Sequence, residues 1–292
     1  MLPLVYVLTV NWNHADDTRR LLASCEQLTY GNLRLLVVDN GSQPDCVEQI
    51  RAGFPYVEWV INERNLGFAA GVNAGLRQAL AHEAEYVLLL NNDTTVAADM
   101  LDRLIVAAEG PGVGATAPII YYAGDHPRIW SAGAYCRALT RDLRGSRHGE
   151  IDSGSGAAPY EVDYATACGL LVSRACLERV GLFDERFFMY YEDLDFCWRA
   201  RAAGYRIVVD PRAYMWHAVA ATIGGSDSPD ERYHMALASV KFYRKYIHGW
   251  RWSVVLPYRL FSALKTTGRL LRAGKVASAC AHWRGLRDGI TR

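Results

Sequence analysis

The chain has 292 residues, of which 51% are hydrophobic and 22% charged, and this composition excludes a disordered, fibrous or disulfide-stapled protein. Seven cysteines, an odd number without paired spacing, favour a reducing compartment over a disulfide framework or a zinc knuckle. The net charge of +1 argues against a nucleic-acid-binding protein.

The first third of the chain alternates between strand-like and helix-like segments. Short runs rich in β-branched and aliphatic residues predict strands buried on both faces. These strands are residues 4–10, 33–38, 57–61 and 86–90. Segments with helical spacing lie between them, at 16–28, 44–53 and 68–82. The alternation predicts an α/β fold in which a mostly parallel central sheet is flanked by helices.

Further along the chain the signals are sparser. A stretch rich in Gly and Ser at 145–159 predicts a mobile loop, and the apolar run 165–172 predicts a return to the sheet. A helix is expected from Glu192 to about Ala203, where Gly204 ends it.

The end of the chain is basic and aromatic. Residues 241–292 carry twelve Lys and Arg against one acid, Asp288, which leaves a charge of −10 on residues 1–240. Aromatic residues interleave with these cations, namely Tyr243, Tyr246, Trp250, Trp252, Phe261 and Trp283. Such a pattern is typical of a surface that contacts anionic lipid. The alternative is a helical pair that packs its aromatic side chains on the rest of the chain or on a second subunit.

Membrane spans and export signals are not expected. Residues 1–10 carry no basic segment, and no apolar run approaches the roughly 18 residues that a membrane-spanning helix needs. The sequence therefore predicts a protein that is neither secreted nor membrane-spanning.

Polar residues follow three of the predicted strands. Thr9 and Asn11 close the first, residues 39–42 follow the second, and residues 91–94 follow the fourth. Ligands of open parallel sheets bind beyond the carboxyl ends of the strands, so these residues predict one nucleotide-sized site. The alternative is that they make turns and helix caps.

Missing motifs narrow the kind of nucleotide site. The chain has no GxxxxGK[ST] loop and no GxGxxG after its first strand, so bound phosphates would need a metal. Asp93 offers the oxygen ligand that Mg²⁺ or Mn²⁺ prefers. His217 is a second candidate ligand, although a lone histidine is more often structural.

A second group of acids follows an aromatic segment. Glu192 and Asp193 come directly after residues 187–191, four of which are aromatic. A carboxylate at the mouth of a partly apolar pocket can serve as a general base. The alternative is that both acids stabilise the first turn of a helix through its dipole.

Five motifs occur in order along residues 3–220. They are VDNGS at 38–42, RNLGFAAGVNAG at 64–75, LLNNDT at 89–94, GLFDERFFMYYEDLDFCWR at 181–199, and Trp216-His217. Together they resemble the inverting glycosyltransferases of the GT-A fold, and among them the bacterial rhamnosyltransferase-like branch that builds cell-surface polysaccharides. The resemblance implies a GT-A catalytic domain at 1–225, with a nucleotide-binding half at about 1–120 and an acceptor-binding half at 121–225. Residues 226–292 would form a helical C-terminal extension.

The resemblance also implies roles for individual residues. Asp193 would be the catalytic base, with Glu192 beside it. Asp93 and His217 would hold a divalent metal, Mg or Mn. Asp39 would accept a hydrogen bond from the imide N–H of thymine or uracil. The nucleotide side would be completed by Thr9, Asn11, Asn65, Asn73, Asn91 and Asn92, and the sugar and acceptor pocket by Trp130, Cys168 and Tyr191.

Two positions depart from the usual family pattern. The DxD metal motif of the family is replaced by Asn91-Asn92-Asp93, which retains one acid. Ala167-Cys168 stands where relatives usually carry Gly-Ala, beside the expected sugar.

The function implied by the resemblance is transfer of L-rhamnose from dTDP-rhamnose, by single displacement, onto a glycan or a polyprenyl-linked saccharide. A UDP-hexose donor, a sugar-nucleotide pyrophosphorylase and an inactive nucleotide-sugar-binding module are the alternatives. The expected location is the cytoplasm, at the inner face of a bacterial plasma membrane, with a homodimer as a further possibility.

Overall fold

The computed structural model describes residues 2–124, 127–152, 158–218 and 227–291. Its strands are β1 (Val5–Asn11), β2 (Leu33–Asn40), β3 (Glu58–Asn62), β4 (Tyr86–Asn91), β5 (Thr94–Val96), β6 (Val113–Tyr122), β7 (Ile129–Ser131), β8 (Ala134–Cys136), β9 (Leu143–Gly145), β10 (Tyr160–Val162), β11 (Gly169–Ser173) and β12 (Arg206–His217). Its helices are α1 (Ala15–Cys25), α2 (Pro44–Gly53), α3 (Phe68–Ala81), α4 (Met100–Ala108), α5 (Arg174–Val180), α6 (Glu192–Ala202), α7 (Pro229–Tyr246), α8 (Trp252–Arg272) and α9 (Val276–Thr291), with a short 3₁₀ helix at Gly249–Arg251.

The central sheet of the described residues has ten strands and is mostly parallel, as predicted. Its main order is β10-β12-β6-β11-β4-β1-β2-β3, with β5 on β12 and β7 on β6. The run from β4 through β1 and β2 to β3 is parallel, whereas β11 runs antiparallel to both β4 and β6. The carboxyl ends of β1, β2 and β4 therefore meet at one edge of the sheet.

Side chains alternate between the two faces of the sheet, and each face is buried by helices. Tyr6 and Leu8 of β1 belong to the cluster covered by α3, α5 and α6. Val5 and Val7 belong to the opposite cluster, covered by α1, α2 and α4. Because both faces of the sheet are buried, the strands are continuous apolar runs in the sequence. These runs are the pattern from which the strands were predicted.

The predicted strands and helices of the first third are confirmed to within a few residues, and so is the helix at Glu192. The strand β6 and the helix α4 were not predicted. Gly114 and Pro118 interrupt the apolar pattern of β6, and Pro is uncommon in strands.

Two predicted segments of the second half differ from the structure. Of the run 165–172, the first four residues are not strand, because β11 begins at Gly169. The predicted loop 145–159 includes residues 153–157, which lie outside the described ranges. Gly145 itself ends β9, and Ile151 forms an isolated bridge to Arg128.

The C-terminal region is helical, as predicted, and α7 docks on the α/β part of the chain. Phe242 of α7 is fully buried in a cluster with Phe187 and Leu194. The helix α9 then lies against α7, where a Cβ on Gly285 would stand 2.2 Å from the Tyr233 carbonyl oxygen. Residues 219–226, which include the predicted domain boundary, lie outside the described ranges, so the division into domains stays a prediction. Across the described ranges, every helix is too short or too polar to cross a bilayer.

Candidate active site

Three polar residues lie where neighbouring parallel strands end, two with their side chains on one face of the sheet and the third on the other face. In the sheet register, Asn11 of β1 lies opposite Asp39 of β2, and Val10 of β1 lies opposite Asn91 of β4. The Asn11 side-chain amide donates to the Asp39 carboxylate at 3.0 Å. The register therefore brings these polar residues to one edge of the sheet.

A chain of hydrogen bonds joins Asp39 to Asn92. The Asn11 side-chain carbonyl accepts from the Thr18 hydroxyl at 2.8 Å, and that hydroxyl accepts from Asn92 at 3.2 Å. The second Asp39 oxygen accepts from the Ser42 backbone N–H at 3.0 Å. Because a carboxylate oxygen can accept two hydrogen bonds, Asp39 retains capacity for an N–H of a nucleotide base.

Two buried polar atoms near this edge have no protein partner. The Thr9 hydroxyl and the Asn91 side-chain carbonyl form no hydrogen bond within the described part of the chain. A buried polar group left unsatisfied costs about 1–3 kcal/mol, so atoms of this kind are suited to completion by a ligand or water.

The two asparagines of the second motif bond to the protein itself. Asn65 accepts from the Gly67 N–H at 2.8 Å and from the Asn40 side chain at 3.0 Å. Asn73 donates to the Phe183 carbonyl at 2.8 Å and accepts from the Phe183 N–H at 2.9 Å. Asn73, expected on the nucleotide side, thus ties α3 to the loop before α6 and is not part of the group around Asp39.

Asp93 and His217 form a nearly buried pair. The short strand β5 pairs with the end of β12 and places Thr94 opposite His217. The His217 Nε2 lies 3.1 Å from Asp93 Oδ1, and its Nδ1 is buried with no hydrogen-bond partner among the described residues. Trp130 contacts the His217 ring edge-on, with ring centroids 4.4 Å apart.

This pair can supply two ligands of a divalent metal. A carboxylate oxygen suits Mg²⁺ or Mn²⁺, and an imidazole nitrogen can join it for manganese. No cluster of three or more potential His, Cys, Asp or Glu ligands occurs in the described ranges. The donor set therefore fits an ion whose other positions are taken by phosphate oxygens and water, and not an ion enclosed by protein ligands alone.

The backbone turns sharply just before the two acids of α6. Tyr190 and Tyr191 have φ values of 66° and 69°, in the left-handed region. This conformation costs a non-glycine residue roughly 1–2 kcal/mol, and such strain is concentrated at functional sites. The turn leads directly into Glu192 and Asp193, which form the first turn of α6.

Both carboxylate oxygens of Asp193 accept hydrogen bonds. Its Oδ2 accepts from the Tyr164 hydroxyl at 2.7 Å and from the Ala167 N–H at 3.3 Å. Its Oδ1 accepts from the Leu194 N–H at 2.8 Å. Burial raises the pKa of Asp193 above its ordinary value, although these hydrogen bonds oppose the shift. A carboxylate with a raised pKa is a stronger proton acceptor, which suits a general base.

Glu192 lies in a different environment. Its Oε2 is buried and has no hydrogen-bond partner within the described residues. Burial and the neighbouring charge of Asp193 raise the pKa of Glu192 well above its ordinary value. Two adjacent buried acids resist ionising together, so the charge of Asp193 disfavours ionisation of Glu192.

Cys168 is linked to both acidic centres. Its carbonyl accepts from the Asn91 N–H at 3.1 Å, and the preceding Ala167 N–H donates to Asp193 at 3.3 Å. Burial raises the pKa of the Cys168 thiol, and the charges of Asp93 and Asp193 add to that shift. The charges of both the Asp93 and the Asp193 carboxylate therefore act on this thiol.

Tyr191, expected in the acceptor pocket, is backed by the C-terminal helices. Its ring lies 5.5 Å from that of Phe242 in α7. The Arg259 guanidinium of α8 stands 4.7 Å above the Tyr243 ring and acts electrostatically on Tyr191 as well. The extension thus forms the wall behind Tyr191.

Sequence reasoning missed the residues that support α6. The fully buried Asp195 accepts from the Tyr246 hydroxyl at 2.7 Å and from the Lys245 ammonium group. Lys245 also bonds to Asp184 at 2.8 Å. Tyr164, which donates to Asp193, precedes it by 29 residues, and no local sequence signal marks such a contact.

Two family models match the chain. The model of glycosyl transferase family 2 matches residues 6–164, and the model of glycosyl transferase family group 2 matches residues 86–283. Each match covers more than half of the chain.

Curated relatives point in the same direction. The N-acetylglucosaminyl-diphospho-decaprenol L-rhamnosyltransferase of Mycobacterium tuberculosis is 28% identical over 250 residues, which are 77% of this chain and 79% of that protein. The dTDP-rhamnosyl transferase RfbF of Shigella flexneri is 24% identical over 215 residues, covering 74% of this chain and 69% of that protein. The uncharacterised protein y4gI of Sinorhizobium fredii is 31% identical over 79% of this chain, but the chain spans about a quarter of its length, 26%.

Solved structures share the fold. The mannosyltransferase PcManGT from Pyrobaculum calidifontis, in complex with GDP-Man and Mn²⁺, has a TM-score of 0.58 at 19% identity, and the match covers 96% of this chain and 74% of that one. GalNAc-T7 with UDP, GalNAc and Mn²⁺ has a TM-score of 0.63 at 16% identity, covering 83% and 50%. At these identities the similarity establishes a common GT-A architecture.

Proposed function

Because this chain belongs to glycosyl transferase family 2, we propose that it transfers L-rhamnose from dTDP-rhamnose to a saccharide or polyprenyl-linked acceptor, with inversion at the anomeric carbon. Members of this family are glycosyltransferases, so the alternative of a sugar-nucleotide pyrophosphorylase is excluded. The names of the Mycobacterium and Shigella relatives support the choice of sugar. A UDP-hexose donor is the alternative within the family.

The observation that carries the proposal is that the Ala167-Cys168 segment bonds to Asp193 and to the strand that ends at Asn91, while the Cys168 thiol is within electrostatic reach of Asp93 and Asp193. Asp193 takes the proton of an acceptor hydroxyl while that oxygen bonds to the anomeric carbon and the bond to the nucleoside diphosphate breaks. Base and leaving group lie on opposite sides of the sugar, so the configuration inverts and no covalent sugar–enzyme bond is needed. Positioned base catalysis of this kind contributes about 10²–10⁴-fold to the rate.

The donor end is held by the edge of the sheet. Asp39 accepts from the imide N–H of the base, and the unsatisfied Thr9 hydroxyl and Asn91 carbonyl lie at the same edge of the sheet. Asp93 and His217 would hold a Mg²⁺ or Mn²⁺ ion, and such an ion would supply positive charge against the charge that develops on the leaving diphosphate.

Thermal shift with a panel of nucleotide sugars tests the donor. In the presence of Mn²⁺, dTDP-rhamnose is expected to raise the melting temperature, because a ligand that binds the folded state stabilises it in proportion to log concentration over affinity. UDP-sugars and GDP-sugars are the comparison. A guanine nucleotide as the sole stabilising ligand would overturn the role given to Asp39. Donor hydrolysis without acceptor would exclude an inactive binding module.

Tyr164→Phe is expected to move the pH profile of turnover. Asp193 acts as a base when ionised, so turnover falls as the pH drops through its raised pKa. The Tyr164 hydroxyl stabilises the ionised form, so its removal raises the pKa further and moves the acidic limb of kcat upward by about one pH unit. Tyr160→Phe, which removes a hydroxyl bonded to the Ala132 carbonyl, is the matched control. An acidic limb that does not move in Tyr164→Phe contradicts the assignment of Asp193.

We place the enzyme at the inner face of a bacterial plasma membrane, in contact through the outer side of α8. That side carries apolar residues that are each at least 50% exposed, namely Leu256, Leu260, Phe261, Leu264 and Leu271. The helix has four Arg and Lys and no acid. Fewer basic side chains are available to contact lipid than the sequence suggested. Arg244 donates to a carbonyl at the end of α9, and Arg269 bonds to Asp227.

Vesicle co-sedimentation tests this contact. Wild type is expected to bind phosphatidylglycerol vesicles at low salt, and a Leu260→Gln/Leu264→Gln variant to bind at least about tenfold more weakly, because two apolar side chains no longer enter the lipid. Val106→Gln, which changes an exposed apolar residue of α4, is the matched control. Equal binding of the wild type and the α8 variant, or no binding of wild type, contradicts the proposal.

A further inference from the structure

Two arginines near α6 and the start of α8 have no counter-ion among the residues that the structure describes. Arg141 lies in the turn between β8 and β9, and Arg251 ends the 3₁₀ helix before α8. Neither forms an ion pair with any residue in the described ranges. The Arg141 Nε is buried, and no described residue accepts a hydrogen bond from it. Buried donors of charged groups are costly to leave unsatisfied, so this guanidinium is suited to an anionic ligand.

The Arg141 guanidinium is held against the helix that carries the proposed base. Its Cζ lies 4.5 Å above the ring of Trp198, which is in α6, five residues after Asp193. Arg201, three residues further along the same side of α6, pairs with Asp163 at 2.6 Å. Burial, together with the charges of Arg251 and Arg201, lowers the pKa of Arg141. The three guanidinium groups therefore concentrate positive charge beside the acceptor half of the site.

The carboxylate next to Arg141 is already engaged. Asp142 accepts from the Tyr258 hydroxyl, and its charge acts on Arg259 of α8. The Asp142 carboxylate therefore interacts with two residues of α8.

Arg251 connects this cluster to the proposed membrane surface. Trp250, directly before it, is 69% exposed, and the exposed apolar side of α8 begins just after it. Trp252, directly after it, packs in the cluster that also contains Trp198. Arg251 is thus flanked by an exposed tryptophan and by a tryptophan packed in the same cluster as Trp198 of α6.

We propose that Arg141 and Arg251 bind the phosphate or diphosphate group that links an acceptor sugar to its lipid carrier. Guanidinium groups match phosphate oxygens in a forked geometry and keep their charge at any physiological pH. Arg141 is linked to Asp193 through α6, because the Trp198 ring beneath its guanidinium lies in the same helix as Asp193. The inference rests on the proposed function, since it concerns the acceptor of the same reaction.

Calorimetric titration of the full chain with inorganic pyrophosphate, in EDTA, tests the site without metal or activity. Wild type is expected to bind, and Arg141→Gln and Arg251→Gln are each expected to bind at least about tenfold more weakly, because a charge-assisted contact is lost. Arg144→Gln, which changes an exposed arginine of β9, should bind like wild type. The proposal is overturned if wild type does not bind pyrophosphate or if both site variants bind it as wild type does.

Phospholipid headgroups share the same phosphate chemistry, so a second titration separates the two sources. If the pair takes the acceptor diphosphate, Arg141→Gln weakens binding of decyl diphosphate and leaves binding to phosphatidylglycerol vesicles within about twofold of wild type. Loss of vesicle binding with unchanged decyl diphosphate affinity would make the pair a headgroup site and overturn the proposal. Failure of wild type to bind any nucleotide sugar would instead refute the proposed function, and it would leave the pyrophosphate result standing.

Discussion

Replacing Asp193 with Asn is expected to lower turnover by about 10²–10⁴-fold while donor affinity stays near that of wild type. The amide keeps the size of the side chain and can still accept from the Tyr164 hydroxyl, but it cannot take a proton. Single-turnover transfer, followed together with donor affinity by calorimetry, separates chemistry from binding.

Two further variants sharpen this test. Glu192→Gln should reduce turnover less than Asp193→Asn, because Asp193 is the acid proposed to take the proton and the charge of Asp193 disfavours ionisation of Glu192. Glu178→Gln, at an exposed position of α5, should behave as wild type. Near wild-type turnover in Asp193→Asn would remove this residue from the mechanism.

Replacing Asp93 with Ala is expected to weaken Mn²⁺ and donor binding together, each by at least about tenfold, because a charged oxygen ligand is lost. His217 then remains without the carboxylate that lies 3.1 Å from it. Mn²⁺ titration followed by electron paramagnetic resonance, with and without dTDP, measures both affinities.

Asp99→Ala provides the matched control for this variant, since Asp99 is an exposed acid six residues along that pairs with Arg103. Its Mn²⁺ and dTDP titrations should overlay those of wild type. Titration curves for Asp93→Ala that also overlay those of wild type would refute the metal assignment.

The strand ends were predictable from sequence because a parallel sheet brings them together. Buried strands read as apolar runs, and the first polar residue after each run marks the edge, as with Asn11, Asp39 and Asn91. The less regular second half followed no such pattern. Pro118 interrupts the apolar pattern of β6, so this strand was not predicted. The strand β12 extends to His217 with a shift of its register against β6 after Asp210.

Contacts between distant segments could not be predicted in the same way. The amide of Asn73 is used by the loop before α6, and the buried Asp195 is completed by Lys245 and Tyr246 from α7. These pairings depend on how the helices pack against each other, and a single sequence does not reveal that packing. The basic extension was predicted to present its charges to anionic lipid. Lys245, however, forms ion pairs with Asp184 and Asp195 of the same chain.

A crystal structure of the protein with dTDP and Mn²⁺ tests most directly whether the three acids act on one donor. We expect the thymine imide at Asp39, the metal between Asp93 and the diphosphate, and the open end of the diphosphate directed past Cys168 toward Asp193. A nucleotide bound elsewhere, or a metal that does not contact Asp93, would contradict this arrangement.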